Sequence, residues 1–184
     1  NRTIVPLAKM PWNLRHAVLA AENRNFYSEH AFSVSGFARA VVDNILTLGR
    51  GGGGSTITQQ YAKTAFLTQE RTITRKIKEL VIAIKLENQL TKDQIFENYL
   101  NTIYFGRGAY GVETASQQYF NRSASQLTLA QSAVIASVLR SPGYYDPQYG
   151  ANNLKRLQGR FQYVINGMVK AGWLDKATAE KVKF

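Results

Sequence analysis

The chain has no cysteine among its 184 residues. Disulfide cross-links and thiolate metal sites are therefore excluded. Histidine is scarce as well: His16 and His30 stand alone, outside any HExxH pattern, so a histidine-based metal centre has no support. No run of 18 apolar residues occurs, so no segment of this sequence has the length to span a bilayer as a helix. No signal-peptide pattern opens it. Acidic residues are in short supply, 12 against 23 Lys and Arg, for a formal charge of +11. That excess implies an anionic partner: nucleic acid, an anionic membrane surface or a phosphorylated substrate. The first residue is Asn1 rather than Met, and we expect a fragment whose anchor or companion domain lies elsewhere.

What is present suffices for one core. Hydrophobic residues make up 45%, which fits a single domain with room for a smaller lobe. The periodicity is mostly helical, with little strand alternation. Helices are expected over 13–23, 34–48, 55–66, 72–90, from Thr91 to about 101, 128–140, 152–171 and 175–183. Thr91 with Gln94 and Thr128 with Gln131 read as capping boxes. Loops are expected at 50–54, 104–111 and 141–150. The 72–90 segment is apolar nearly all round at Val81, Ile82 and Ala83, the mark of a central, buried helix.

The run GGGGSTITQQ, 51–60, is the densest signal. Four glycines supply bare backbone, and Ser55 and Thr56 supply hydroxyls and a helix N-cap. A helix start behind small residues is an anion site, because its amides are unpaired and its dipole favours negative charge. A nucleotide P-loop is excluded: Gly49 and Gly54 have the spacing, but Ser55 stands where the lysine belongs. No GxSxG elbow occurs either.

Two carboxylates draw attention. Glu22 ends the first helix one turn after Val18 and Leu19, and apolar neighbours raise a carboxylate's pKa towards that of a general base. The plainer reading is a solvated glutamate at a helix end. Glu79 has Arg75 and Lys76 one turn back on its own face. It reads either as a surface ion pair or as a placed charge beside the most apolar helix. Lys63, Arg71, Arg75, Lys76 and Lys78 follow the glycine run closely, as a solvated basic face or a clamp for a pyrophosphate. Helix spacing alone does not bring positions 22 and 79 together.

These residues resemble a known family, the peptidoglycan glycosyltransferase (transglycosylase) domain of class A penicillin-binding proteins and monofunctional transglycosylases. The resemblance covers nearly the whole chain in five ordered motifs. The first, AENRNFYSEHAFSVSGFARA, holds Glu22, Phe26, His30, Gly36 and Arg39. The second is GGSTITQQ, with Lys63 after it. The third, RKIKELVIAIKLE, holds Arg75, Lys76, Glu79, Ala83 and Glu87, with Lys92, Glu97, Tyr99, Leu100 and Asn101 beyond. The fourth runs through Tyr104, Gly106, Gly108, Tyr110, Gly111, Ala115 and Tyr119. The fifth is LTLAQSAVIASVLRSP, followed by Tyr145, Pro147, Asn153 and Arg160. Three positions depart: Asn23 where the family has Asp, Ala31 for Gly and Ser33 for Asp. No Ser-x-x-Lys occurs, so no penicillin-binding site is expected here.

The resemblance implies a mostly α, lysozyme-like, two-lobed helical domain over residues 1–184, with a membrane-associated jaw at about 32–50. It implies polymerisation of lipid II into β-1,4-linked glycan strands at the outer face of the bacterial cytoplasmic membrane. A lysozyme-like hydrolase or lytic transglycosylase is the alternative. Glu22 and Glu79 become the catalytic pair, with Glu22 as base and Glu79 orienting cations at the donor site. Lys63, Arg71, Arg75 and Lys76 become phosphate ligands, and Ser55, Thr56, Gln59, Gln60 and Tyr104 substrate-positioning groups. Expected partners are lipid II, the growing strand, the membrane surface and moenomycin-type inhibitors, and not nucleic acid. No cofactor is required and no dedicated metal site is expected; a divalent cation, Mg2+ or Mn2+, at the pyrophosphate is left open.

Overall fold

The computed structural model describes residues 3–29, 55–67 and 72–184. The expected helix at 34–48, the jaw at 32–50, the glycines at 51–54, His30, Ala31, Ser33 and Arg71 lie outside the described residues. Within them the chain is helical, and the single β feature is an isolated bridge between Tyr104 and Tyr110. The mostly α class expected from periodicity is the class observed.

The helix at the centre is α1 (Trp12–Glu22), not the 72–90 segment. Leu14 and every residue from 17 to 21 are buried. Three of those five are alanines, whose small side chains let α6 (Leu129–Val138) and α8 (Ala151–Lys170) pack on α1 from different sides. Gly167 makes the α1–α8 approach possible: a Cβ there would lie 3.3 Å from the Ala20 Cβ, and the helix carries no side chain at that point. Burial of α8 follows one stripe, Asn153, Leu157, Arg160, Phe161, Val164 and Met168 among it, as an amphipathic helix requires.

A second layer holds α2 (Ile57–Phe66), α3 (Ile73–Gln89) and α4 (Lys92–Thr102), with α2 packed against both others. Here α3 is peripheral. Ala83 and Leu86 pack with Ala62 of α2 and Leu80 is buried, whereas Ile73, Ile77 and Val81 are exposed. Its apolar residues outnumber the positions its neighbours cover, so the apolar middle did not mean central burial.

The helix starts follow local chemistry. Thr91 and Gln94 form the expected capping box, and so do Thr128 and Gln131. A third box of the same T-x-x-Q form, Thr56 with Gln59, opens α2, so that helix begins at Ile57 rather than Ser55. Sequence reading omitted α5 (Val112–Phe120), which starts at Gly111 without a side-chain cap. The segment 141–150, expected as a loop, contains a single helical turn, α7 (Pro142–Tyr145), and a 3-10 turn. The chain ends with α9 (Lys176–Lys181), capped by Asp175.

Two side-chain clamps hold the ends of this frame. Asn101 on α4 bonds both backbone groups of Val5, accepting from its N–H and donating to its carbonyl at 2.9 Å each. Arg107 grips fully buried Asp146 with two bonds of 2.8 and 2.6 Å, tying the 103–111 turn to the segment after α7.

Candidate active site

Glu22 is the last residue of α1. That places its carboxylate at the negative end of the helix dipole, and its side chain is 11% exposed. It lines a cavity of about 490 Å3 with Ser55, Gln60, Lys63, Arg140 and Tyr163. Burial raises its pKa above the ordinary carboxylate value, opposed by the Gln60 hydrogen bond and the charges of Arg160 and Arg140. The apolar neighbours that suggested this shift, Val18 and Leu19, are buried. Glu22 is therefore not a solvated helix-end glutamate.

Its two oxygens have different partners. Oε2 accepts from Gln60 Nε2 at 3.0 Å. The same nitrogen donates to the Ser55 carbonyl at 3.1 Å, and Gln60 Oε1 accepts from the hydroxyl of fully buried Tyr99 at 3.0 Å. Those contacts fix which end of the amide faces Glu22, because the Ser55 carbonyl only accepts. Oε1 faces Arg160 Nη2 at 3.4 Å, a loose contact, while Nη2 donates to the Ala21 carbonyl at 2.8 Å.

Glu79 is buried, 2% exposed, which removes the surface-pair reading. Lys76 Nζ forms an ion pair with Glu79 Oε1 and also donates to Ser55 Oγ at 3.1 Å. Ser55 thus joins the two carboxylates: its carbonyl is bonded by the amide that bonds Glu22, and its hydroxyl by the ammonium that pairs with Glu79. One carboxylate sits where ionisation is penalised; the other has a cation in direct contact.

The remaining expected site residues are placed unequally. Lys63 lines the cavity. Arg75 is half-buried on α3, and its Nε is buried without a hydrogen-bond partner among the described residues. Thr56 and Gln59 bond each other across the start of α2, which occupies both side chains in the cap. Tyr104 is on the 103–111 turn, its ring 4.8 Å from that of Tyr110 and tilted by 41°, and is not among the cavity-lining residues. Four further residues, Arg160, Arg140, Tyr99 and Tyr163, belong to the site by contact or by lining it and were not singled out for it in the sequence. Two carried a signal. Arg160 occupies an apolar-stripe position of α8, and Tyr99 is the polar tip among Ile95, Phe96 and Leu100 on α4. A charge or hydroxyl on a buried stripe needs a partner.

A family model described as Transglycosylase matches residues 1–169. The chain belongs to the transglycosylase family. This transglycosylase is 46% identical over 177 residues to penicillin-binding protein 1A of Mycobacterium tuberculosis, covering 92% of the chain and 21% of that protein. It is 44% identical over 174 residues to penicillin-binding protein 2a of Streptococcus pneumoniae, covering 95% of the chain and 23% of that protein. The chain thus spans under a quarter of the length of these relatives. A crystal structure of penicillin-binding protein 1A from Haemophilus influenzae aligns with all of the chain and 18% of the solved one, at a TM-score of 0.54 and 23% identity. That likeness concerns the fold, which is mostly α and lysozyme-like. The resemblance read from the five motifs is therefore correct at the level of the family.

Proposed function

We propose that this transglycosylase polymerises lipid II into β-1,4-linked peptidoglycan strands, with Glu22 as general base. The observation that carries the reading is the buried Glu22 carboxylate of raised pKa, oriented by Gln60 in a cavity that also presents Lys63 and Arg140. The acceptor is the GlcNAc 4-hydroxyl of lipid II. Its proton passes to Glu22, its oxygen bonds to the anomeric carbon of the donor, and the bond from that carbon to the undecaprenyl pyrophosphate breaks. The leaving diphosphate keeps the electron pair, so it needs positive charge more than a proton. Lys63, Arg75 and Lys76 on α2 and α3 supply that charge, with Arg71 added from the resemblance. Glu79 fixes Lys76. A single displacement inverts an α-linked donor to a β bond and needs one base and no covalent intermediate.

The described residues do not fit a protein-held metal. Glu79 is taken by Lys76, and among the described residues no three His, Asp or Glu side chains converge. A protonated Glu22 would also suit the acid of a hydrolase, so the substrate decides between the two. Working at the outer face of the cytoplasmic membrane, the chain would meet lipid II at an anionic surface, in keeping with its +11 charge.

The test is incubation of the chain with lipid II, and separately with finished glycan. Polymer is expected from lipid II, sensitive to moenomycin, and no cleavage of glycan. Glu22→Gln is expected to lower polymerisation by about 10²–10⁴-fold, the range for loss of a general base. Polymerisation by Glu22→Gln at the parent rate, or glycan cleavage in place of synthesis, would overturn the reading.

A further inference from the structure

Asn23, immediately after Glu22, makes contacts that the chemistry above does not use. Its Oδ1 accepts from the Ile57 N–H at 3.2 Å. Ile57 is the first residue of α2, and that amide is one of the unpaired donors at a helix start. Its Nδ2 donates to both oxygens of Glu29, at 3.1 and 3.2 Å. The orientation of the amide follows from its neighbours, since a backbone N–H only donates and an ionised carboxylate only accepts. Asn23 is therefore bound on both sides, 34 residues away in sequence on one and six on the other. The joint lies between the two elements that build the base: α1 ends on Glu22, and α2 starts beside Ser55 and carries Gln60.

We propose that Asn23 is a positioning residue whose amide, held between the first N–H of α2 and the Glu29 carboxylate, fixes the end of α1 that carries Glu22 against the start of α2 that carries Gln60. The inference rests on Glu22 being the base. It assigns a reason for an amide at this position. An aspartate still accepts from Ile57 but has no proton for Glu29, and two carboxylates within hydrogen-bond distance repel. The pair is then coupled: the wrong charge at position 23 is corrected by removing the charge at position 29. In the E29Q background the new side-chain amide donates to the new carboxylate of N23D, with the polarity of the bond reversed.

The experiment is a double-mutant cycle in lipid II polymerisation, with melting temperature followed for every variant. N23D is expected to lower kcat by about tenfold, the size of a lost charge-assisted bond with a carboxylate left unpaired. KM for lipid II is expected to change little, because Asn23 acts through Glu22 and not on substrate. E29Q keeps an acceptor for Asn23 and is expected to stay within about threefold of the parent. N23D with E29Q is expected to recover kcat to within about threefold. If N23D also lowers the melting temperature, the second change is expected to restore both. N23A loses both bonds and is not expected to be rescued by E29Q. An N23D variant as active as the parent, or a double variant no better than N23D, would overturn the proposal. Failure of the parent to polymerise lipid II would instead overturn the function it rests on, so the two failures are distinct.

Discussion

For Glu22 as the proposed base, stability and activity ask for opposite protonation states. Burial raises its pKa above the ordinary 4.5. The group therefore contributes most to stability below its unfolded pKa, and that contribution is lost as pH rises through the folded value. Catalysis needs the ionised form, so polymerisation should fall as pH drops through that same raised pKa. Gln60 and the Arg160 and Arg140 charges lower the value and favour the working form. Gln60→Ala removes the first-named of these three. The acid limb of the kcat/KM profile is expected to move to higher pH, with the plateau reduced by about tenfold for loss of a hydrogen bond to a charged group. A limb that stays in place would show that Gln60 does not set the basicity of Glu22. The sequence supported the carboxylate through its two apolar neighbours one turn back. It did not reveal that Arg160, 138 residues away, meets the same carboxylate.

Helices with a capping box or a long apolar stripe were legible, and the short α5, which has neither, was not. Thr91 and Thr128 start helices through contacts three residues on, visible in any window that holds both. The same T-x-x-Q pattern recurs at Thr56, where the residues beside the glycine run point to an N-cap and to substrate-positioning groups, and the capping box itself was not singled out. Its partner Gln59 is 6% exposed and accepts the Thr56 N–H. The apolar middle of α3 suggested a central helix, yet centrality depends on what covers a face, and α1 with its alanines is covered on more sides. The 103–111 turn was legible as a loop but not as a tight one. Gly111 has φ +85°, and a Cβ there would meet the Asn101 carbonyl oxygen at 2.7 Å. Its N–H donates to the carbonyl of Ile103, which lines the cavity. Gly111→Ala combines left-handed strain with a backbone clash, each of order 1–3 kcal/mol. A loss of about 3 kcal/mol corresponds to a fall in melting temperature of roughly 6–12 °C for a chain of this size. Thermal unfolding checks it; an unchanged midpoint would mean that the turn relaxes without cost.

On the scale of the molecule, the site exists only where the two helical layers meet. Glu22 comes from α1, Gln60 from α2, Tyr99 from α4 and Arg160 from α8. No periodicity within one segment encodes that meeting, which is why the candidate residues were found one by one and their network was not. Net charge is the whole-molecule property that needed no fold. An excess of +11 is a field rather than a contact, and it acts on a charged surface over about a Debye length, ~10 Å at 0.1 M salt and ~3 Å at 1 M. The exposed apolar residues of α3, Ile73, Ile77 and Val81, form a separate feature that salt does not screen. The two predict different behaviour on vesicles. If charge leads, the chain co-sediments with vesicles rich in anionic phospholipid at low salt, binds zwitterionic vesicles far more weakly, and loses at least about tenfold in partition on going from 0.1 to 1 M salt. Partition that is equal on both vesicles and constant with salt would transfer the role to the apolar stripe. We expect the first outcome, since each lysine or arginine near an anionic surface contributes about 1 kcal/mol, and few of these cations are taken up by carboxylates within the described residues.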